Sequence, residues 1–316
     1  MDLLADYGLF FAKLVTVAAV LLGGLALLAA ARRGGAGADG RLEWRHWNAK
    51  LRAYRRSLGG KAARERRRRR GKTRPPHAWV LRFEGDLRAA AVDDLREEVS
   101  AVLSLAREGD RVVAVIDSAG GWVHGYGLAA AQLQRIRERG LPLTACIDRI
   151  AASGGYLMAC VADRILAAPF AVTGSIGVVA GLPNVHRLLE RHDIDYELFT
   201  AGEHKRTVTV FGRNTDRGRA KFQAQLDALH GLFKRFVAEH RPQLDIERVA
   251  TGEAWFGRQA VELGLVDALQ TSDDHLMRLC EEGVEVYELR HRRPKPLAQR
   301  LGLDGALGRS GWPGPV

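Results

Sequence analysis

A long apolar run near the start of the chain is the strongest feature of its hydrophobic pattern. Residues 9–31 are apolar apart from Lys13 and Thr16. A helix of about 22 residues rises roughly 33 Å, which is enough to cross the hydrocarbon core of a bilayer. The run therefore predicts a transmembrane helix over residues 9–31. A cleaved signal peptide is the alternative, but no Lys or Arg precedes the run, and the run is longer than a usual signal-peptide core.

From Ala78 onward, short apolar runs alternate with amphipathic stretches. Strands are predicted at 78–83, 111–116, 143–147, 164–167 and 196–200, and helices at 92–106, 128–139, 154–161, 185–191 and 216–240. Strands that alternate with helices predict an α/β fold with a mostly parallel sheet and flanking helices. Charged pairs, Gly and Pro interrupt residues 141–182, so this stretch predicts sheet core rather than a second membrane span.

These patterns divide the chain into four parts. They are an N-terminal segment 1–31 with the transmembrane helix, a basic juxtamembrane linker 32–76, a large α/β domain 77–275 and a C-terminal extension 276–316. Aromatic and leucine residues between Leu42 and Tyr54 predict a short amphipathic helix at the membrane surface within the linker. The Arg-, Pro- and Gly-rich tail from residue 291 is expected to be poorly ordered.

The formal charge of +11 is concentrated before the domain. Residues 1–76 hold 18 Lys and Arg against 5 Asp and Glu, whereas residues 77–316 hold 30 against 32. Arg32 and Arg33 follow the apolar run directly, and the positive-inside rule then places the domain in the cytoplasm. The basic run Arg66–Arg70 fits anionic membrane lipid or a solvated linker. No nucleic-acid-binding motif accompanies it, so no nucleic-acid partner is expected.

The cysteines give no sign of a metal site. Cys146 and Cys160 lie in apolar runs and are expected to be small core residues, and Cys280 stands apart. No pair of cysteines has the spacing of a zinc site or a disulfide framework.

Ser153 is the first candidate for chemistry. It precedes two glycines and an apolar helix, so its hydroxyl lies where free backbone N–H groups point outward. The N–H of Gly154 could face a developing oxyanion, and the glycines would let a substrate backbone approach closely. An ordinary N-cap serine is the structural alternative.

Two further elements could complete a hydrolytic site. Gly120 and Gly121 follow the predicted strand 111–116, at the sheet edge where ligands bind in parallel folds, so one of their N–H groups could be a second oxyanion donor. A tight turn is the alternative for this pair. Lys205 could act as a general base if desolvation or nearby positive charge lowered the pKa of its amine towards neutral, and a solvated charge is its alternative.

Other residues could share or replace these roles. The hydroxyl of Ser175, in the Gly-rich turn 173–177, could hold a lysine amine. Four histidines could replace the lysine as base, namely His124, His186, His192 and His204. No nucleotide-binding fingerprint is present around the glycine pair.

Together these motifs resemble the signal peptide peptidase A / SohB family of membrane serine peptidases, most closely its SohB type. The resemblance covers about residues 1–270. It rests on the order and spacing of Ile116–Gly121, Ala151–Tyr156, Thr173–Gly177, Gly202–Lys205 and Ala254–Asp267. One departure is Ala119, where the family usually has proline, which would stiffen the turn before the glycines.

The resemblance implies a ClpP/crotonase-like fold and a Ser-Lys dyad. Ser153 would be the nucleophile and Lys205 the general base, 52 residues later. Gly120 would donate one oxyanion hydrogen bond, with Gly121 as the near alternative and Gly154 assisting, and Ser175 would orient the lysine. No metal or nucleotide cofactor is implied.

The implied substrates are peptides or unfolded proteins, such as signal-peptide remnants or misfolded membrane and envelope proteins. The implied partners are membrane lipid and further copies of the chain in a homo-oligomeric ring. The implied location is the bacterial inner membrane, and the family's association with envelope proteins leaves the opposite side of the membrane open as the alternative to the cytoplasm. Two other functions stay open from the sequence. A crotonase-like acyl-CoA hydratase or isomerase would need glutamates in the glycine loops, which carry none. A catalytically inactive membrane scaffold would bind its partners through residues 32–74.

Overall fold

The computed structural model describes residues 40–58 and 74–293, together with Lys13 and Thr16. Its strands are β1 (Arg41–His46), β2 (His77–Glu84), β3 (Arg111–Asp117), β4 (Leu143–Ile147), β5 (Ile150–Ala152), β6 (Arg164–Ala167), β7 (Val172–Gly174), β8 (Ala254–Phe256), β9 (Ala268–Leu269) and β10 (Glu285–Arg292). Its helices are α1 (Trp47–Leu58), α2 (Val92–Leu105), α3 (Val123–Glu138), α4 (Gly154–Ala159), α5 (His186–Arg191), α6 (Asp216–His240), α7 (Ile246–Val249), α8 (Gly257–Glu262) and α9 (Ser272–Glu281).

The main sheet has seven strands in the order β1-β10-β2-β3-β4-β6-β9. From β10 to β9, every neighbouring pair is parallel. The central register sets Trp79 opposite Val112, and Val112 opposite Leu143. The predicted α/β fold with a mostly parallel sheet is confirmed.

Strand β3 explains why apolar runs mark this sheet. Val112 and Ile116 belong to one apolar cluster, whereas Val113 belongs to a second. Because successive side chains of a strand point to opposite faces, β3 is buried on both sides. Residues of α2, α3 and α4 fill the first cluster, and Trp47 of α1 and Leu276 of α9 join the second.

The main sheet extends beyond the predicted domain limits of 77–275 at both ends. Residues 41–58, predicted as linker, form β1 and α1, and Trp47 is only 6% exposed. Its indole Nε1 donates to Glu288 Oε2 at 3.1 Å. The sequence assigns the aromatic side of this segment to a membrane surface. In the structure Trp47 packs on the sheet, whereas Trp44 and Tyr54 are exposed. Strand β10, which pairs with β2, comes from the predicted C-terminal extension.

The chain separates into two units, Trp44–Arg290 and the chain ends, residues 1–43 with 291–316. Within the chain ends, Arg292 Nε donates to Glu43 Oε2 at 3.1 Å. The predicted span 9–31 lies outside the described residues except for Lys13 and Thr16, and the tail lies outside them from residue 294. No helix in the described part of the chain combines the length and the apolar character that a membrane crossing requires.

Three local predictions have different outcomes. Helix α3 begins at Val123, earlier than the predicted start at residue 128, and residues 196–200 belong to no strand, so the predicted strand there is wrong. Cys146 and Cys160 are buried core residues, as predicted. Burial raises the pKa of the Cys146 thiol to about 12, and it raises the pKa of the Cys160 thiol as well.

A smaller sheet, β5-β7-β8, positions the candidate site. Strand β5 is parallel to β7, which is antiparallel to β8. Ser118 joins the smaller sheet to the end of β3, because its N–H donates to Ile150 O at 2.9 Å and its carbonyl accepts from Ala152 N at 3.0 Å. The ends of β3 and β5 therefore lie side by side, and the loops that follow them meet.

Candidate active site

Ser153 occupies the turn between β5 and α4. Its backbone has φ 51° and ψ −117°, and a positive φ is uncommon for a non-glycine residue and costs on the order of 1–3 kcal/mol. The Ser153 N–H donates to Gly174 O at 2.8 Å, which fastens the turn to the end of β7. The side chain makes no cap hydrogen bond. Ser153 is therefore the N-cap residue of α4 by position only, and its hydroxyl is left available.

The glycine loop, residues 119–121, approaches Ser153 so closely that position 120 requires glycine. Gly120 has φ +92°, and a Cβ there would lie 2.7 Å from Gly154 N and 2.8 Å from Ser153 Cβ. Gly121 packs against the backbone of Leu87 instead, because a Cβ there would lie 2.2 Å from Leu87 O. The fold thus brings Gly120, Ser153 and Gly154 together.

The backbone N–H groups of this loop differ in their hydrogen bonding. Gly120 N donates to Ser118 Oγ at 3.1 Å, so this donor is already engaged. The N–H groups of Gly121 and Gly154 have no hydrogen-bond partner within residues 74–293. Two free N–H groups near an available hydroxyl are the kind of donors that stabilise an oxyanion.

Three residues behind the glycine loop are absent from the sequence prediction. Ser118 Oγ lies 2.5 Å from Tyr126 Oη, and Tyr126 Oη donates to the backbone carbonyl of Asp86 at 2.7 Å. Burial raises the pKa of the Tyr126 phenol, and its hydrogen bond with Ser118 acts in the opposite direction. Asp86 and Tyr126 are 40 residues apart, so no spacing pattern connects them. Ser118 lies inside the motif Ile116–Gly121, which is the only signal that could have drawn attention to it.

Ser175 follows Gly174, whose carbonyl accepts the hydrogen bond from the Ser153 N–H. The pairing of β5 with β7 sets Ala152 opposite Gly174, and Ser175 follows Gly174. Ser175 also has a positive φ, 50°, and its N–H donates to Glu253 O at 2.6 Å. Ser153 and Ser175, which both have a positive φ like Ala89 and Asp193 elsewhere in the described chain, thus flank the same strand pair.

Lys205 lies in a region of different character. It is exposed on a turn of the segment 177–215, in which no residue is buried. Its backbone N–H donates to Gly202 O at 3.1 Å, and its ammonium makes no hydrogen bond or ion pair with the described residues. No hydrogen bond joins Lys205 to Ser153 in the described part of the chain.

The four candidate histidines also make no hydrogen bond to Ser153 within residues 74–293. His186 lies 3.3 Å from Glu190 and His204 lies 3.8 Å from Glu203. The ring of His124 is 5.6 Å from that of Trp122, centroid to centroid, and His192 is exposed at the end of α5.

Comparison with known proteins identifies the family. The family model described as "Peptidase family S49 N-terminal" matches residues 2–133, and the model "Peptidase family S49" matches residues 135–286. The chain belongs to peptidase family S49. The glycine loop lies in the first match, and Ser153 and Lys205 lie in the second, so the S49 assignment covers every part of the candidate site.

Two S49 relatives carry the name "Probable protease SohB". The protein of Haemophilus influenzae is 53% identical over 224 residues, which are 71% of this chain and 63% of the relative. The protein of Buchnera aphidicola subsp. Acyrthosiphon pisum is 54% identical over 204 residues, 65% of this chain and 61% of the relative. The chain thus spans less than two thirds of the length of either relative.

Among solved structures, a mutant of the 1510-N membrane-bound stomatin-specific protease is similar with a TM-score of 0.43 and 12% sequence identity. The match covers 65% of this S49 chain and 85% of that protein.

Proposed function

We propose that this S49 chain is a serine endopeptidase in which Ser153 is the nucleophile and Lys205 the general base. The observation that carries the proposal is the turn at Ser153. A hydroxyl without a cap role stands at a strained strand-to-helix turn, beside glycine N–H groups that have no partner in the described part of the chain. A nucleophile raised on a sharp, strained turn is exposed to a substrate carbonyl.

The proposed reaction proceeds through an acyl-enzyme. The Ser153 hydroxyl attacks a peptide carbonyl while the neutral amine of Lys205 takes its proton, and the C–N bond then breaks as the protonated amine is released. Water hydrolyses the resulting ester and regenerates Ser153. The N–H groups of Gly121 and Gly154 are the preferred oxyanion donors, because the Gly120 N–H is already bonded to Ser118. Gly120 itself allows the close approach of the loop.

The proposal requires Lys205 to reach Ser153 from an exposed position. The segment 177–215 carries strongly exposed apolar side chains, among them Val179 at 94% and Phe199 at 87%. Such surfaces are typical of protein contacts. They support association of several copies, as in the ring that the family resemblance implies, and packing of this segment could bring Lys205 beside Ser153 and Ser175.

The finer features of the proposal come from the sequence. They are a ClpP/crotonase-like form of the fold, membrane anchoring through residues 9–31, and cleavage of signal-peptide remnants or misfolded membrane and envelope proteins. A reporter fused to the C-terminus, active only on one side of the membrane, tests the cytoplasmic orientation expected from Arg32 and Arg33.

A fluorophosphonate probe tests the nucleophile directly. We expect the wild-type chain to be labelled and Ser153→Ala to remain unlabelled while it stays folded. Ser104→Ala is the matched control, because Ser104 is exposed at the end of α2 and its hydroxyl donates only to Ala101 O. Labelling that persists in Ser153→Ala, or that disappears in Ser104→Ala, would contradict the assignment.

A further inference from the structure

The hydrogen bonds behind the glycine loop run in one direction. The Gly120 N–H can only donate, to Ser118 Oγ at 3.1 Å, and the Asp86 carbonyl can only accept, from Tyr126 Oη at 2.7 Å. A tyrosine hydroxyl has one proton, so the 2.5 Å bond between Ser118 Oγ and Tyr126 Oη uses the serine proton. The order is therefore Gly120 N–H, Ser118 O–H, Tyr126 O–H and Asp86 C=O, and we call it the hydroxyl chain.

The hydroxyl chain is enclosed by tight packing. Tyr126 is 0% exposed and Ser118 is 2% exposed, so water has no access to replace a lost hydroxyl. A Cβ on Gly85 would lie 2.4 Å from Ser118 Oγ and 2.5 Å from Tyr126 Oη. A Cβ on Gly154 would lie 2.3 Å from the ring of Tyr126. The same tyrosine thus packs under Gly154, next to Ser153, and bonds towards the glycine loop.

The far end of the hydroxyl chain is firmly held. The Asp86 carbonyl also accepts from Ala89 N at 3.0 Å, and Asp86 Oδ1 accepts from Ala90 N at 2.8 Å. Two residues beyond Gly120, the N–H of Trp122 donates to Leu87 O at 2.8 Å. The turn 85–90 therefore restrains the glycine loop on both sides of Gly121.

We infer that Ser118 and Tyr126 are positioning residues that set the orientation of the Gly120–Gly121 peptide, whose N–H is the proposed oxyanion donor. The inference rests on the proposed roles of Ser153 and Gly121. Gly120 has a positive φ and no side chain, so its own conformation is weakly restricted. The hydrogen bond from the Gly120 N–H to Ser118 Oγ restricts the backbone at this position, where no side chain does so.

Removal of single hydroxyls tests the inference. In the full-length chain, cleavage of fluorescein-labelled casein by Tyr126→Phe should show kcat about 10-fold lower with KM within about twofold of wild type, since a small displacement of a donor is costly. Ser118→Ala should lower kcat about 30-fold, less than the roughly 100-fold or greater effect of deleting a donor. The affinity of a peptide aldehyde, which forms a tetrahedral oxyanion on Ser153, should fall in parallel with kcat/KM.

Tyr156→Phe is the matched control. Tyr156 is equally buried, and its hydroxyl donates to the backbone carbonyl of Leu265 at 3.0 Å, away from the glycine loop. We expect the thermal midpoint to fall similarly in Tyr126→Phe and Tyr156→Phe, but kcat to fall only in the first. The inference is overturned if kcat of Tyr126→Phe stays within twofold of wild type, or if both variants lose kcat equally.

Failure of the inference differs from failure of the proposed function. If the fluorophosphonate probe does not label Ser153 in the wild-type chain, the proposed function fails. If Ser153 is labelled and Tyr126→Phe reacts with the probe at the wild-type rate, only the positioning role of the hydroxyl chain fails.

Discussion

The turn at Ser153 is assembled from buried strands and fixed by backbone hydrogen bonds, whereas the segment 177–215 that carries Lys205 contains no buried residue. Ser153, Gly120 and Gly154 are within close contact of one another, and hydroxyls behind them are enclosed. Lys205 has exposed neighbours and an ammonium without a partner among the described residues. The surroundings of Ser153 are therefore fixed by buried contacts, whereas Lys205, the proposed base, lies on a segment that has none.

The segment 177–215 does have local order of its own. Asn184 donates to the carbonyls of Thr209 and Gly212, and the rings of Tyr196 and Phe211 lie 5.7 Å apart. These contacts join parts of the segment to one another rather than to the sheet. If Ser153 and Lys205 act together as proposed, the segment 177–215 must be brought to the turn at Ser153 for activity.

The largest expected effect is that of Lys205→Ala. Loss of the proposed general base should reduce casein cleavage by about a thousandfold. The thermal midpoint should not change, because the exposed side chain makes no stabilising contact with the described residues. Arg206→Ala, one residue further along the same exposed turn, should keep its activity. If Lys205→Ala retains more than a tenth of wild-type activity, the neighbouring His204 becomes the candidate base.

A second prediction concerns Asp267, which anchors the end of α6 to the sheet on the buried side. Asp267 accepts from Arg241 at 2.9 and 2.7 Å and from Ile165 N at 2.6 Å. Burial alone acts to raise the pKa of Asp267, but the hydrogen bonds from Arg241 and Ile165 and the charge of Arg241 outweigh it, so the pKa is lowered. Asp267→Asn should lower the free energy of unfolding by about 3 kcal/mol at pH 7, because it leaves a buried arginine unpaired.

The pH dependence of that loss has a definite sign. A lowered pKa in the folded state contributes stability above the unfolded value of about 4, and this contribution disappears as pH falls through the folded pKa. Urea unfolding at pH 7 and in the acid range should show the gap between wild type and Asp267→Asn closing as pH falls. Asp216→Asn, at a fully exposed carboxylate, should behave as wild type at each pH.

A smaller effect on stability is expected from a methyl group beside the nucleophile. Gly154→Ala would press a Cβ against the buried ring of Tyr126, which should lower unfolding free energy by about 2 kcal/mol. Gly127→Ala, in α3 with nothing within 4 Å of the new Cβ, should instead add up to about 1 kcal/mol. Thermal unfolding of both variants measures the difference. Equal changes in the unfolding free energy of the two variants would mean that the Tyr126 side of the site is not tightly packed.

The smallest expected effect on stability comes from relief of backbone strain. Ser153→Gly should raise the unfolding free energy by about 1 kcal/mol while abolishing activity, because glycine adopts a positive φ without penalty. Ser104→Gly, in a helix, should lower stability by a similar amount. A Ser153→Gly variant that is less stable than wild type would show that the turn at Ser153 carries no strain.

Much of the fold follows from local pattern. Apolar runs such as 111–116 and 143–147 and the helix 216–240 are correctly predicted, because burial on one or both faces leaves a periodic signal in nearby residues. Residues 41–58 are not predicted as part of the sheet, because their polar composition hides the buried anchors Trp47 and Asn48. The roles of Ser153 and Lys205 stay predictions, and motif order alone led to both.

The sequence by itself determined the class of fold, the family motifs and the residue types that the chemistry needs, since these depend on periodicity and on short spacings. Only the tertiary structure decided that the Ser153 hydroxyl caps no helix, that the Gly120 N–H is already bonded, and that Tyr126 reaches Asp86 behind the glycine loop. These facts depend on backbone dihedral angles and on contacts between residues far apart in the chain, and both are set when the two sheets pack together.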